Sequence, residues 1–148
     1  MIEYRVGKLS YEEIRLFLNE VDATFSPPLS KKVDLDYLAD KLAQFSEFSY
    51  CFEKNQIIGL ISCYLNRPPE AFISIACVRS EYQNSGIFKE LFHLLISKLK
   101  LLQIKIIRLE VFDCNDIAQK VYKKVGFTDG GIASKDSHYY VKLIEPND

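Results

Sequence analysis

The chain has 148 residues, of which 48% are hydrophobic, and its formal net charge is −1. This is the length of one ordinary domain, with enough apolar residues for a core that needs no disulfide or metal. The near-neutral charge disfavours a nucleic-acid-binding protein, which usually has a basic face, and no apolar stretch approaches the roughly 20 residues of a membrane span.

The first third of the chain predicts a strand, Ile2–Val6, followed by two helices. Ser10 and Glu13 have the spacing of a capping box at the start of the first helix. Pro27-Pro28 interrupts the chain, and Asp34 or Asp36 is expected to cap the second helix. The apolar stripes at helical spacing are Ile14, Phe17, Leu18 and Val21 in the first helix and Leu35, Leu38, Leu42 and Phe45 in the second.

The rest of the chain alternates strands with two more helices. Predicted strands are Phe48–Glu53, Ile57–Leu65, Phe72–Val78, Ile104–Phe112 and Tyr139–Ile144, and predicted helices are Ile87–Leu102 and Asp116–Val125. Gly126, Gly130 and Gly131 are expected in loops, with room for one more short strand before the last.

This order predicts a single α/β (α+β) domain over residues 1–148. Its sheet is expected to be mixed and mostly antiparallel, with six to seven strands, a central parallel β-α-β crossover and about four helices.

The cysteines and the basic residues suggest ordinary structural roles. No cysteine pair has a C-x-x-C spacing and only two histidines are present, so no metal site is expected. The basic cluster Lys98, Lys100, Lys105 and Arg108 is interrupted by apolar residues, which favours a solvated face. The N-terminus lacks the apolar region of a signal peptide, so a reduced, cytoplasmic setting is the expectation.

The segment from Val78 to Phe88 predicts an anion site. A buried strand ends there, a short polar loop follows, and a long helix begins at Gly86. The free N–H groups and the macrodipole of a helix start attract anions, and a glycine lets a phosphate approach closely. A plain helix start with a glycine in its turn is the simpler alternative.

A second group of residues follows the next predicted strand. Asn115 and Tyr122 are seven residues apart, which places them about 20° apart around a helix, and Ala118 shares their face. In a parallel β-α-β unit this helix and the Gly86 helix begin at the same edge of the sheet, where ligands of α/β proteins bind.

These two segments together resemble the GNAT superfamily of acetyl-CoA-dependent N-acetyltransferases. Gln83-x-x-Gly86-x-Phe88 is similar to the pyrophosphate loop, Gln/Arg-x-x-Gly-x-Gly/Ala. Asn115-x-x-Ala118-x-x-x-Tyr122 followed by Gly126-Phe127 is similar to the second signature of the family. Phe88 departs from the pattern, since Gly or Ala is preferred there, and Asn84 stands where Gly is common. The element order matches over essentially the whole chain.

The resemblance implies acetyl-CoA as co-substrate, with no metal, and assigns the site by position. The backbone at Cys77 and Val78 is expected to pair with the pantetheine arm, Asn115 and Ala118 are expected beside the cofactor, and Tyr122 is the expected general acid that protonates the CoA thiolate. The pyrophosphate is expected on the backbone amides of Gln83, Asn84, Ser85, Gly86, Ile87 and Phe88.

The general base is left open between Glu110, Glu70 and a water molecule, with Asp113 as a weaker candidate. Transfer to an amine needs the neutral amine, whereas a lysine-like amine of pKa about 10.4 is mostly protonated at pH 7. The strand Phe72–Val78 carries no carboxylate. His138, near the start of the last strand, is expected to be partly exposed and without a role.

The acceptor is expected to be the primary amine of a small molecule. The segment Phe25–Ser30, with Tyr64-Leu65-Asn66, is similar to small family members associated with surface-polysaccharide gene sets, which implies an amino sugar. A protein or peptide amine acceptor is an alternative, as is a non-catalytic CoA-binding module. A nucleotide-binding protein is disfavoured because neither glycine-rich nucleotide motif is present. No nucleic-acid or membrane partner is expected, and a homodimer is possible.

Overall fold

Seven strands and four α-helices form the computed structural model, which describes residues 1–148. The strands are β1 Glu3–Gly7, β2 Ser46–Glu53, β3 Gln56–Arg67, β4 Glu70–Val78, β5 Ile106–Phe112, β6 Thr128–Ser134 and β7 Ser137–Leu143. The α-helices are α1 Tyr11–Val21, α2 Leu35–Phe45, α3 Ile87–Leu101 and α4 Asp116–Lys124. Short 3₁₀ turns cover Asp22–Thr24, Leu29–Lys31 and Ser80–Tyr82.

The strands make one mixed sheet in the order β1-β2-β3-β4-β5-β7-β6. Every neighbouring pair is antiparallel except β4 and β5, which are parallel and joined through α3. The predicted fold class is confirmed, including the seventh strand that the sequence left optional.

Helices α1 and α2 begin where local side chains satisfy the free N–H groups of the first turn. The Ser10 Oγ accepts from the Glu13 N–H at 3.1 Å, and the Glu13 carboxylate accepts from the Ser10 N–H at 3.0 Å, which is the predicted capping box. Asp34, rather than Asp36, caps α2 by accepting from the N–H of Asp36 at 2.8 Å.

Apolar residues pack on both faces of the sheet. Successive residues of a strand point to opposite faces, so Phe48 joins the core under α1 and α2, whereas the Ser49 hydroxyl donates to the Leu91 carbonyl of α3 at 2.7 Å. The α3 face holds 18 buried residues and the α1–α2 face holds 10. The sheet is therefore covered by helices on both sides.

Several local expectations were wrong. Gly130 and Gly131 lie within β6 rather than in a loop, because the pairing of β6 with β7 shifts register between Asp129 and Ile132 and the glycines occupy that irregularity. Phe45 at the end of the α2 stripe is 62% exposed, since the helix ends there and the chain turns into β2. Glu70 is the first residue of β4 rather than a residue before the strand.

No helix of the chain combines the length and the apolar character needed to cross a membrane. No group of three or more His, Cys, Asp or Glu side chains is arranged to hold a metal ion. All four cysteines are free, with Cys51 and Cys63 buried, Cys77 half-buried and Cys114 exposed.

Candidate active site

The sheet splits between β4 and β5. The two strands pair at only three positions, Glu70 with Ile106, Ala71 with Ile107, and Phe72 with Arg108. Both strands then continue, β4 to Val78 and β5 to Phe112, without pairing with each other. Backbone groups on the facing edges of the two strands are therefore left without sheet partners, in a gap at the carboxyl ends of the parallel strands.

A bulge in β4 accompanies the split. Ser62 of β3 pairs with Ile75 and Cys63 pairs with Ile73, so Ser74 has no partner in β3. Ile73 packs with the α3-side core, whereas Ile75 packs with the α1–α2 core. The bulge thus reverses which face each side chain of β4 takes, and it bends the strand near the point where it leaves β5.

Helix α3 begins at the mouth of this gap without a side-chain cap. Its N-cap is Gly86, whereas Ser10, Asp34 and Asn115 cap the other three α-helices with their side chains. The first helical bond joins the Glu90 N–H to the Gly86 carbonyl, so the N–H groups at the start of α3 have no partner within the helix. Four free donors at a positive helix end form a ready site for an anion.

The loop before α3 is shaped for close approach of a ligand. Asn84 and Gly86 both adopt left-handed backbone conformations, with φ of 62° and 84°. A Cβ added at Gly86 would find no atom within 4 Å, so space beside this glycine is open. The Gln83 side-chain amide donates to the Val78 carbonyl at 3.1 Å and the Ser85 hydroxyl donates to the Tyr82 carbonyl, so both side chains are bound to the backbone of their own segment.

Arg79 fixes the start of this loop against α1 and β3, a role that the sequence did not reveal. It directly follows β4 and is only 7% exposed. Its Nη2 lies 2.6 Å from the Glu20 carboxylate of α1, its Nε donates to the Ile57 carbonyl at 2.6 Å, and its guanidinium lies over the Phe17 ring. A single charged residue after an apolar strand was the only signal in the sequence, and its partner is 59 residues away.

Helix α4 begins on the other side of the gap. The Asn115 side-chain oxygen accepts from the Ala118 N–H at 3.0 Å, which caps the helix. Ala118 and Tyr122 face the α3-side core, as the shared helix face predicted, while no residue of α4 is fully buried. Asn115 is exposed, and the nitrogen of its side-chain amide makes no hydrogen bond within the chain.

Tyr122 belongs to an aromatic cluster on the α3 side of the sheet. Its ring meets Phe127 edge-on at 5.4 Å and Phe88 edge-on at 5.9 Å, and Phe88 stacks on Phe92 at 6.0 Å. Burial raises the pKa of the Tyr122 phenol to about 12, and the nearby Cys77 acts in the same direction. The phenol therefore keeps its proton at neutral pH, and it is a weaker acid than an exposed tyrosine.

The first two side chains of α3 turn toward the core, although the backbone of this turn is a candidate site for an anion. Ile87, whose amide lies at the helix start, buries its side chain in the core at 3% exposure. Phe88 also turns its ring inward, which leaves the backbone of the first helical turn unobstructed. Cys77 of β4 lies close to both Tyr122 and Thr24, and burial raises its pKa to about 11.

The candidate bases lie on or beside β5. The Glu110 carboxylate is exposed and accepts from the Ser137 hydroxyl of β7 at 2.6 Å. Glu70 forms an ion pair with Arg108, so Arg108 is not the solvated charge that the sequence suggested. Asp113 lies 2.7 Å from the His138 Nδ1, and this contact raises the pKa of His138. His138 is thus partly exposed, as expected, but it is bound to a carboxylate.

Comparison with solved structures supports the fold assignment. A protein assigned to the GNAT family from Desulfovibrio desulfuricans has a TM-score of 0.81 at 14% identity, covering 98% of this chain and 100% of that chain. The ribosomal-protein-S18-alanine N-acetyltransferase from Escherichia coli has a TM-score of 0.78 at 15% identity, with 97% and 95% covered. The PaiA N-acetyltransferase from Thermoplasma acidophilum, solved with coenzyme A, has a TM-score of 0.78 at 20% identity, with 97% and 99% covered.

No curated protein sequence matches the chain. The model of the acetyltransferase (GNAT) family matches residues 14–127, which include both predicted signatures and the whole β4-α3-β5-α4 unit. The chain therefore belongs to the acetyltransferase (GNAT) family and is an acetyl-CoA-dependent acetyltransferase.

Proposed function

We propose that the protein is an N-acetyltransferase that transfers the acetyl group of acetyl-CoA to a primary amine of a small molecule. The observation that carries this proposal is the gap between β4 and β5, with an uncapped helix start at its mouth and the Tyr122 phenol near Cys77 in the unpaired part of β4. The gap offers backbone partners for an extended ligand, the helix start offers donors for an anion, and the phenol offers a proton.

The pyrophosphate of acetyl-CoA is placed on the backbone amides from Gln83 to Phe88. Open space beside Gly86 and the free N–H groups of α3 support this placement. The pantetheine arm is placed along the free edge of β4 near Cys77 and Val78, where it replaces the strand that β5 does not supply. Asn115 and Ala118 are placed on the α4 side of the arm.

In the proposed reaction the neutral amine attacks the thioester carbonyl carbon, the carbon–sulfur bond breaks, and the electron pair goes to the sulfur. Tyr122 donates its proton to that developing thiolate, while the nitrogen loses a proton to a base. Backbone N–H groups left free on the β4 edge are suited to stabilising the carbonyl oxygen as charge develops on it.

Glu110 is the best placed of the candidate bases. Its carboxylate is exposed and lies on β5 beyond the last pair with β4, whereas Glu70 is engaged by Arg108 at the closed end of the split. The Ser137 hydroxyl holds one Glu110 oxygen at 2.6 Å, which fixes the direction of the carboxylate. Asp113 is already bound to His138. A water molecule between Glu110 and the amine is compatible with this arrangement.

The nature of the acceptor is a separate part of the proposal. An amino sugar follows from the resemblance of the Phe25–Ser30 and Tyr64–Asn66 segments to small family members. The E. coli neighbour, by contrast, is an enzyme for the alanine of ribosomal protein S18. A protein or peptide amine is therefore the second acceptor class to test.

The test is a panel of amines with acetyl-CoA, read by the release of free CoA thiol and by mass spectrometry of the acceptor. The panel includes amino sugars, amino acids, polyamines and short peptides. Acetylation of any primary amine at a rate well above acetyl-CoA hydrolysis supports the proposal. Tight acetyl-CoA binding by calorimetry without acetylation of any acceptor would instead indicate a non-catalytic CoA-binding module.

A further inference from the structure

A cleft of about 470 Å³ opens beside the point where β4 and β5 separate. It lies on the α1–α2 face, because Tyr64 in its wall packs against that core and the Lys41 ammonium of α2 lies 5.2 Å from the centre of the Tyr64 ring. Phe72 and Arg108, the last pair that joins the two strands, both line the cleft. An acceptor in this cleft would therefore reach the closed end of the gap in which the thioester is placed.

The charges of the cleft sum to a positive value. Arg67 and Arg108 line it together with one carboxylate, that of Glu70. Glu70 and Arg108 form an ion pair of zero net charge, so Arg67 supplies the excess positive charge of the lining, and Lys41 adds another beside Tyr64. A cleft with excess positive charge and partly buried walls favours an anionic group over a neutral or cationic one.

Arg108 is the residue best arranged to bind that anion. Its Nε donates to Glu70 and its guanidinium carbon lies 5.6 Å from the centre of the Tyr139 ring, so two contacts hold the side chain in place. Nε is the only one of its three nitrogens that bonds within the chain, which leaves the two terminal nitrogens free. A guanidinium held in this way matches the geometry of a carboxylate or a phosphate.

Arg108 and the proposed base are suitably spaced for one small acceptor. Arg108 and Glu110 are alternate residues of β5, so they share a face and are about 7 Å apart along the strand. Because both side chains leave the same face of the strand, one small molecule on that face can contact both of them. The amine can therefore lie at Glu110 while an acidic group of the same molecule lies at Arg108.

We propose that the acceptor is a primary amine that also carries an anionic group, a carboxylate or a phosphate, and that Arg108 selects it by binding this group. The inference rests on the proposed function and adds the chemical class of the acceptor. The aromatic walls formed by Tyr64, Phe72 and Tyr139 accommodate the carbon skeleton between the two groups.

The experiment compares acceptors in matched pairs that differ in the anionic group, with each rate referred to the concentration of neutral amine, because loss of a carboxylate also lowers the pKa of a neighbouring amine. An α-amino acid is compared with its amide, and glucosamine 6-phosphate with glucosamine, so that the two pairs distinguish a carboxylate from a phosphate. In the wild-type protein we expect kcat/KM to be at least about tenfold higher for the anionic member of one pair, because a charge-assisted hydrogen bond is lost in the neutral one.

Three variants test whether Arg108 is the cause. Arg108→Gln should lower kcat/KM for the anionic member by about tenfold or more, so that the preference for the anionic member over the neutral one is lost. The double variant Glu70→Gln, Arg108→Gln should behave in the same way, which excludes repulsion by an unpaired Glu70 as the reason. Arg5→Gln, at an exposed arginine of the edge strand β1, is the control and should leave the preference intact.

The inference is overturned if the wild-type protein acetylates the neutral members as well as the anionic ones, or if Arg108→Gln slows both members equally. In either case the proposed function stands, since an amine is still acetylated. Absence of thiol release with every amine would overturn the proposed function together with the inference, and this outcome is distinct because no acceptor preference exists at all.

Discussion

Removal of the Tyr122 hydroxyl should separate proton donation from packing. Its ring is held by Phe88 and Phe127, and these contacts are retained in Tyr122→Phe. Burial and the neighbouring Cys77 account for the high pKa of the phenol, with no hydrogen-bond partner contributing. We therefore expect the melting temperature of the variant to stay close to that of the wild type.

The size of the rate effect follows from the two pKa values involved. The phenol has a pKa of about 12 and a thiol has one of about 8.5, so proton transfer to a thiolate that has already left is unfavourable by about 5 kcal/mol. The proton must therefore move as the bond breaks. General acids contribute about 10²–10⁴-fold, and this mismatch places Tyr122 near the lower end, with kcat reduced about 100-fold in Tyr122→Phe.

The assay is steady-state and single-turnover release of CoA thiol at saturating acetyl-CoA and acceptor. Acetyl-CoA affinity should change little, because a group that acts in the transition state contributes little to ground-state binding. Tyr140→Phe is the matched control, since Tyr140 is buried in the same core at 6% exposure and lies on β7. A Tyr122→Phe protein whose single-turnover rate is within threefold of wild type would refute the assignment.

Three further predictions concern the loop before α3, the aromatic cluster and the pH dependence of stability. Gly86→Ala and Gly131→Ala both place a Cβ at positive φ where no other atom lies within 4 Å. Each variant should therefore lose about 1–2 kcal/mol of stability. Only Gly86→Ala should also weaken acetyl-CoA binding, by about tenfold in calorimetry. Equal affinities in the two variants would count against the pyrophosphate site. Phe88→Ala should lower the free energy of unfolding in urea by about 3 kcal/mol, because the stacked ring packs against the core. An unchanged urea midpoint together with an altered acetyl-CoA affinity would show that the ring covers the cofactor instead. The contact with Asp113 raises the pKa of His138, so the stabilising effect of this contact is complete below about pH 6.5 and is lost as the pH rises through the pKa of the folded state. His138→Gln should therefore lower the melting temperature more at pH 5.5 than at pH 8.5. An equal loss at both pH values would contradict this.

Features set by neighbouring residues were predictable from the sequence. The capping box of Ser10 and Glu13 formed as expected because both partners lie within one helical turn. The face shared by Ala118 and Tyr122 follows from the helical repeat alone, whereas Asn115 is the N-cap that precedes the helix. In β6, by contrast, the glycines were misassigned because glycine is common both in loops and in strand irregularities, and only the pairing with β7 decides between them.

Contacts between distant residues could not be predicted. The Arg79–Glu20 pair joins the end of β4 to α1 across 59 positions, and the Arg108–Glu70 pair joins two strands across 38. Many acidic residues were available to each arginine, and no local pattern selects among them. The cleft and the anchor of the loop before α3 depend on these pairs, so both became visible only in the folded chain.

At Phe88 the backbone and the side chain have separate roles at the start of α3. In the proposed site an anion contacts backbone N–H groups, which every residue except proline supplies, so a large side chain is compatible with binding if it points elsewhere. The ring does point into the core, where it stacks on Phe92 and meets Tyr122 edge-on. The residue that departs most from the family pattern therefore helps to fix the orientation of the proposed acid. Replacement of Phe88 by a small residue should accordingly reduce turnover even where acetyl-CoA still binds, because the Tyr122 ring would lose one of its two aromatic neighbours.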